Sequence, residues 1–119
     1  MNEVNAAMAT ALGTTAYHLR APEGAALPYG VWNWQAGGLT DDHDVIDGLE
    51  WVRAYGTSAY QAGTLYAAYD ATLNGGTLAI SGYTTVGLRR EDEFEFVEEL
   101  PNGQTIYTMG GYYRLITDK

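Results

Sequence analysis

Four aspartates and a histidine crowd one short stretch of this chain, Asp41, Asp42, His43, Asp44 and Asp47, and the carboxylates are oxygen ligands of the kind a hard cation takes. The spacing fits no calcium loop: the sixth position calls for glycine and the twelfth for glutamate, and neither falls in register. The segment Leu39 to Gly48 therefore reads as an exposed acidic loop, too turn-rich to pack as regular core. His18, near Arg20, could serve as a base only with a serine or a paired carboxylate in reach, and the sequence offers no such pairing. The pairs Gly37-Gly38, Gly75-Gly76 and Gly110-Gly111 lack the following Lys and Ser or Thr of a phosphate cradle, and read as turns, a cap and a bulge. Tyr29, Trp32 and Trp34, or Tyr112 and Tyr113, could stack bases or sugars, but the cations that single-strand binding requires are missing. The expectation is a protein with no catalytic residue, no cofactor and no metal, whose aromatics pack in a core and against other subunits.

Composition narrows the class further. A chain of 119 residues makes one domain, 1–119, able to bury roughly two-thirds of its unfolded surface. Cysteine is absent, so neither disulfides nor thiolate metal sites contribute. The amino terminus carries no basic cluster before its apolar part, and no apolar run is long enough to span a bilayer; a soluble, unexported protein without a membrane partner is expected. The formal net charge is −9 with only six Lys and Arg, which argues against any grip on nucleic acid, since phosphate contact needs clustered cations. Like charge does suit a surface past which a duplex must slide.

The elements that must position these side chains follow from periodicity and punctuation. Asn2 caps a first helix with Val4, Met8, Ala11 and Leu12 near one face, and Gly13 ends it. A strand over Thr14–Leu19 leads into a loop with Pro22 and Gly24, and Pro28 stands at the entrance of a second strand, Tyr29–Ala36, that Gly37 and Gly38 break. Trp32 and Trp34 share one face of that strand. From Leu49 to Tyr55 a third strand has both faces partly covered, and Gly56 stops it. Ser58 with Gln61 is a capping-box signature opening a helix through Leu73, closed by Asn74, Gly75 and Gly76. Its inner face is Ala62, Leu65, Tyr66, Tyr69 and Leu73. The opposite face, with Thr64, Ala68, Ala71 and Thr72, is small and nearly neutral, as a helix covered on two sides by core and by a neighbouring subunit would be. A short strand over Thr77–Ile80 comes next, then a long strand from Tyr83 towards Leu100. The mixed-sign run Arg89 to Glu93 makes a tip or bulge in it, and Glu95 separates Phe94 from Phe96. Pro101, Asn102 and Gly103 turn the chain into a return strand, Gln104–Ile116, with a bulge at Gly110 and Gly111. The expected fold is α+β: an antiparallel sheet with two helices packed on one face and a long C-terminal β-hairpin.

Taken in order, these features resemble the tail terminator or tail completion proteins of long-tailed bacteriophages. The resemblance runs over nearly the whole chain: the N-terminal helix, Ala16-Tyr17, APEGAALPY from Ala21 to Tyr29, WVRAYG from Trp51 to Gly56 and the helix ending at Leu73. It continues through LAISGY from Leu78, the Arg-acidic strand from Arg89, the PNG turn and GGYYRL from Gly110. It implies a homo-oligomeric, hexameric ring seated on the last ring of tail tube protein and facing the head-tail connector protein, in a virion assembled in the host cytoplasm. Such a ring closes through heterologous contacts, so each subunit presents two different surfaces. Trp32, Trp34, Thr64, Ala68, Ala71, Thr72, Phe94 and Phe96 are the expected interface residues. DNA would pass through without specific binding, along a channel edged by Asp41, Asp42, Asp44, Glu93, Glu95 and Glu98. The same resemblance fits a head-completion or connector ring, and a small ligand-binding α+β domain with an aromatic pocket is the reading from another class; a ring or tube-end binding separates these from a stable monomer.

Overall fold

The computed structural model describes residues 2–39 and 45–118. In chain order the elements are α1 (Asn2–Leu12), β1 (Ala16–His18), β2 (Tyr29–Leu39), β3 (Ile46–Gly56), α2 (Ala59–Leu73), β4 (Thr84–Glu99) and β5 (Thr105–Asp118). The strands form one sheet in the order β1-β2-β3-β5-β4, antiparallel throughout except for the parallel β1–β2 pair. Both helices lie on the same side of it. Val4, Ala7, Met8 and Leu12 of α1 and Tyr66, Tyr69 and Leu73 of α2 join Trp32, Val52, Ala54, Tyr113 and Leu115 of the sheet in a single buried cluster. The α+β architecture and the long C-terminal hairpin are as the periodicity predicts.

Helix α2 starts where its capping residues dictate. Ser58 Oγ accepts from Gln61 N at 3.0 Å, while Gln61 Oε1 reaches back to Thr57 N at 2.7 Å and Thr57 Oγ1 at 2.9 Å, one residue upstream of the usual partner. Ser58→Ala should cost about 1 kcal/mol of stability, read as a lowered denaturant midpoint at unchanged slope. At the other end Asn74 Oδ1 accepts from Arg90 N and Gly75 N donates to Leu88 O, tying the helix terminus to β4. The helix seats closely because glycine lies beneath two of its tyrosines: a Cβ at Gly30 would collide with the Tyr69 ring, and one at Gly111 with Tyr66 Oη.

Several boundaries differ from expectation, each for a local reason. Gly37 and Gly38 do not end β2. The strand passes a register shift between Trp34 and Ala36 and continues to Leu39, with Gly37 at φ +90° opposite Gly48. Correspondingly β3 begins at Ile46, whose N donates to Thr117 Oγ1 at 3.1 Å. Residues 77–80 form no strand: Leu78 and Ile80 bury their side chains, but Leu78 satisfies its N–H and C=O on the hydroxyl of Thr85 (3.0 and 3.1 Å) instead of on a ladder. Gly110 and Gly111 are in register with β3 and β4 and form no bulge. The register shifts sit in β4, between Thr85 and Gly87 and between Arg90 and Asp92, so the mixed-sign run does bulge while the glycine pair exists for close packing. Strand β4 is the sheet's long edge, and it is interrupted by both bulges and studded with Glu91, Asp92, Glu93, Glu95, Glu98 and Glu99.

Candidate functional site

No helix packs on the side of the sheet opposite α1 and α2 among the described residues. Side chains at paired positions share a face, and the register gathers Tyr29, Trp51, Arg53, Tyr55, Tyr112, Phe94 and Phe96 there, with Tyr17 at the β1 edge. They touch in sequence across all the strands. Tyr17 meets Tyr29 at 6.0 Å between ring centroids, and Tyr29 meets Tyr55 at 5.5 Å. The Arg53 guanidinium lies 3.9 Å above Trp51 and 5.9 Å from the Tyr55 ring. Trp51 stacks on Tyr112 at 5.9 Å, Phe94 contacts both at 6.0 and 5.8 Å, and Phe96 stacks on Phe94 at 5.9 Å. Most of these rings are half-buried by one another, and Phe96 is 49% exposed. Trp51 Nε1 and Arg53 Nε are shut off from water with no hydrogen-bond partner, while Arg53 Nη2 donates to Asn33 Oδ1 at 3.2 Å. Burial against Arg53 and neighbours raises the Tyr55 pKa, a shift the Arg53 charge partly opposes. An apolar strip of this length, held by a sheet and half in water, has the composition of a surface that gains free energy when it is covered.

The second open surface is the outer side of α2. Thr64, Ala68, Ala71 and Thr72 are exposed there, with Tyr60 at 84% exposure near the helix start. Of the expected interface residues, these four, Phe94 and Phe96 are accessible. Trp32 is not: at 2% exposure it is core, stacked under His18 at 4.3 Å. Trp34 packs against the same core and donates Nε1–H to Gly37 O at 3.0 Å, so the indole face of β2 looks inward to the helices and the tyrosine face outward. The sequence does carry the missed strip, as the alternation Trp51, Arg53, Tyr55 on β3; strand order, which puts Tyr112 and Phe94 beside it, comes only from the fold.

The charged residues divide between the two sides. Glu93 and Glu95 point to the helix side and Glu98 to the aromatic side, so the acidic edge is not one face. Arg90 binds Asp70 at 3.0 Å and Glu93 at 3.2 Å; Asp70 accepts from Tyr113 Oη at 2.7 Å, and Tyr113 and Tyr66 hydroxyls lie 2.7 Å apart. Burial raises the pKa of both tyrosines. Arg114 spans Asp47 and the bulged Glu91, each at 2.7 Å, so Asp47 serves the sheet. Asp41, Asp42, His43 and Asp44 lie outside the described residues. Glu50 is fully buried between the cross-strand neighbours Trp34 and Tyr113; neither carboxylate oxygen has a partner, and desolvation pushes its pKa from 4.5 up to about 8. Glu50 is not part of the lining of the groove beside α2 or of the hollow at Trp51, Phe94 and Tyr112.

No protein-family model matches the chain, and no curated protein sequence matches it. Among solved structures, a chain from the virion of a native gene transfer agent particle is similar, with a TM-score of 0.62 and 15% sequence identity over 99% of this chain and 90% of that one. At that identity the likeness is one of fold, over nearly the whole chain.

Proposed function

We propose that this chain is a structural virion protein that assembles into a ring at the head-proximal end of a phage tail tube, where it stops tube growth and offers the surface on which the head connector docks. The observation that carries the reading is the uncovered aromatic strip, crossing a sheet whose fold is shared end to end with a chain of a virion particle. A sheet that leaves Trp51, Tyr112, Phe94 and Phe96 half in water on its open face gains about 1 kcal/mol for each side chain a neighbour covers completely, roughly half the worth of burying a fully exposed one. Two unlike open surfaces, the strip and the small-residue face of α2, meet the need of a subunit that touches different partners on different sides. The acidic balance keeps the ring from trapping DNA, and Glu93, Glu98 and the aspartates Asp41, Asp42 and Asp44 are its proposed channel edge; Glu95 lines the groove beside α2 and is left to the contact between subunits.

Electron microscopy of the purified protein, alone and mixed with tail tubes, tests the reading. Rings that cap one end of each tube are expected, together with overlong tubes when the gene is deleted. Phe96→Glu, exposed and outside the core, should weaken capping by roughly ten-fold or more while leaving the folded chain intact. Capping of head connectors in place of tubes would move the ring to the other side of the joint. A monomer with affinity for neither would overturn the proposal.

A further inference from the structure

Leu19 follows β1 at the short edge of the sheet with φ +71°, the one non-glycine residue with positive φ among those described. Leu19 N donates to Trp32 O at 2.8 Å and Arg20 N to His18 O at 2.8 Å, which closes a γ-turn of the rare, strained hand centred on a leucine. The conformation does not serve the core: the side chain is 63% exposed. A bulky residue held against its backbone preference and aimed at water is an observation that asks for a partner. Beside it Arg20 is exposed and makes no ion pair among the described residues.

At the opposite edge, between the first turn of α2 and the β4–β5 hairpin, lies a groove of about 250 Å³ lined by Ala59, Ala62, Val97, Tyr107 and Met109. Apolar cavities of about 150 Å³ already accept benzene, so an isobutyl group fits. Val97 is 56% exposed, and Glu95 and Glu99, at alternate positions along β4, stand on either side of it with no ion pair of their own among the described residues. The two edges are complementary: an apolar knob with a cation beside it, and an apolar groove with carboxylates on its rim.

We infer that the occupant of the groove is a second copy of this chain, whose Leu19 enters between Val97, Tyr107 and Met109 while its Arg20 meets Glu95 and Glu99. The contact joins unlike edges, so repetition propagates subunit to subunit in one direction and leaves the aromatic strip free for other proteins. This rests on the ring reading and specifies its subunit interface.

The chain has no cysteine, which makes cross-linking clean. Leu19→Cys on one preparation and Val97→Cys on a second, mass-tagged preparation are mixed under mild oxidation. A mixed disulfide dimer is expected at roughly ten-fold the yield of a control pairing Leu19→Cys with Val86→Cys, since a docked pair reacts at an effective concentration in the mM range. Val86 is a fair control because it is 67% exposed on the same edge strand. Leu19→Gly removes the knob and relieves the turn, so it should weaken self-association ten-fold or more without lowering the melting temperature of the monomer. Equal yields for the two pairs, or undiminished association of Leu19→Gly, would overturn the contact. If the natural chain still caps tubes in that case, the ring stands and only this interface falls; if it neither caps nor associates, both fall.

Discussion

Replacing Glu50 with methionine is expected to stabilise the fold at pH 8 by about 3 kcal/mol and to remove most of its pH dependence between pH 5 and 8. The natural carboxyl has its pKa raised from 4.5 to about 8 because it is buried with neither oxygen bonded. The folded state therefore holds a proton that the unfolded state releases. Stability is undiminished below the unfolded value, declines as pH rises through the window between the two, and levels off above the folded one; the full span sets an upper bound of about 5 kcal/mol. Methionine fills a similar volume beside Trp34 and Tyr113 without charge or unsatisfied oxygens. Glu50→Gln should flatten the pH profile too but gain less, because its amide inherits the same lack of partners. Urea titrations of the natural chain and both variants at several pH values provide the check. Parallel pH profiles for all of them would show that Glu50 is solvated.

The second large effect is expected at Gly111. Alanine there should cost about 3 kcal/mol, because its Cβ would strike Tyr66 Oη and come within 2.9 Å of the Asp92 carbonyl on the neighbouring strand. Part of the conflict is removable. In the natural background Tyr66→Phe should cost about 1 kcal/mol, the value of the buried contact between the Tyr66 and Tyr113 hydroxyls. In the Gly111→Ala background the same change should recover stability, since the hydroxyl is the nearest obstacle. A double-mutant cycle with strong coupling of this sign is the expected result, and additive losses would mean that α2 shifts away instead.

How far the fold is legible in the sequence depends on whether local or distant chemistry decides each feature. Both ends of α2 can be read because Ser58, Gln61 and Asn74 act within a turn of themselves. The hairpin turn at Pro101 to Gly103 can be read for the same reason. Strand ends at Leu39 and Ile46 cannot, because pairing with a neighbour overrides the breaking tendency of Gly37 and Gly38. The segment 77–80 has strand composition, yet its backbone is claimed by one distant hydroxyl, Thr85. The inward turn of Trp32 and the outward turn of Tyr29 depend on which side of the sheet the helices choose, and strict alternation is silent on that. Small residues on α2 mark an outer face in the sequence itself; the aromatic strip needs strand order before Trp51, Tyr112 and Phe94 become neighbours. Leu19 has no signature at all, since nothing in its type announces a left-handed backbone.

The long edge strand has a consequence for the time before assembly. A bare strand of this length would be a template on which identical chains could stack without limit, the start of a fibril. In β4 the two bulges break the straight row of backbone donors and acceptors, and repulsion between like carboxylates penalises a second β4 laid strand to strand against it. Subunits can thus stay dispersed at high concentration until a partner covers the faces they leave open.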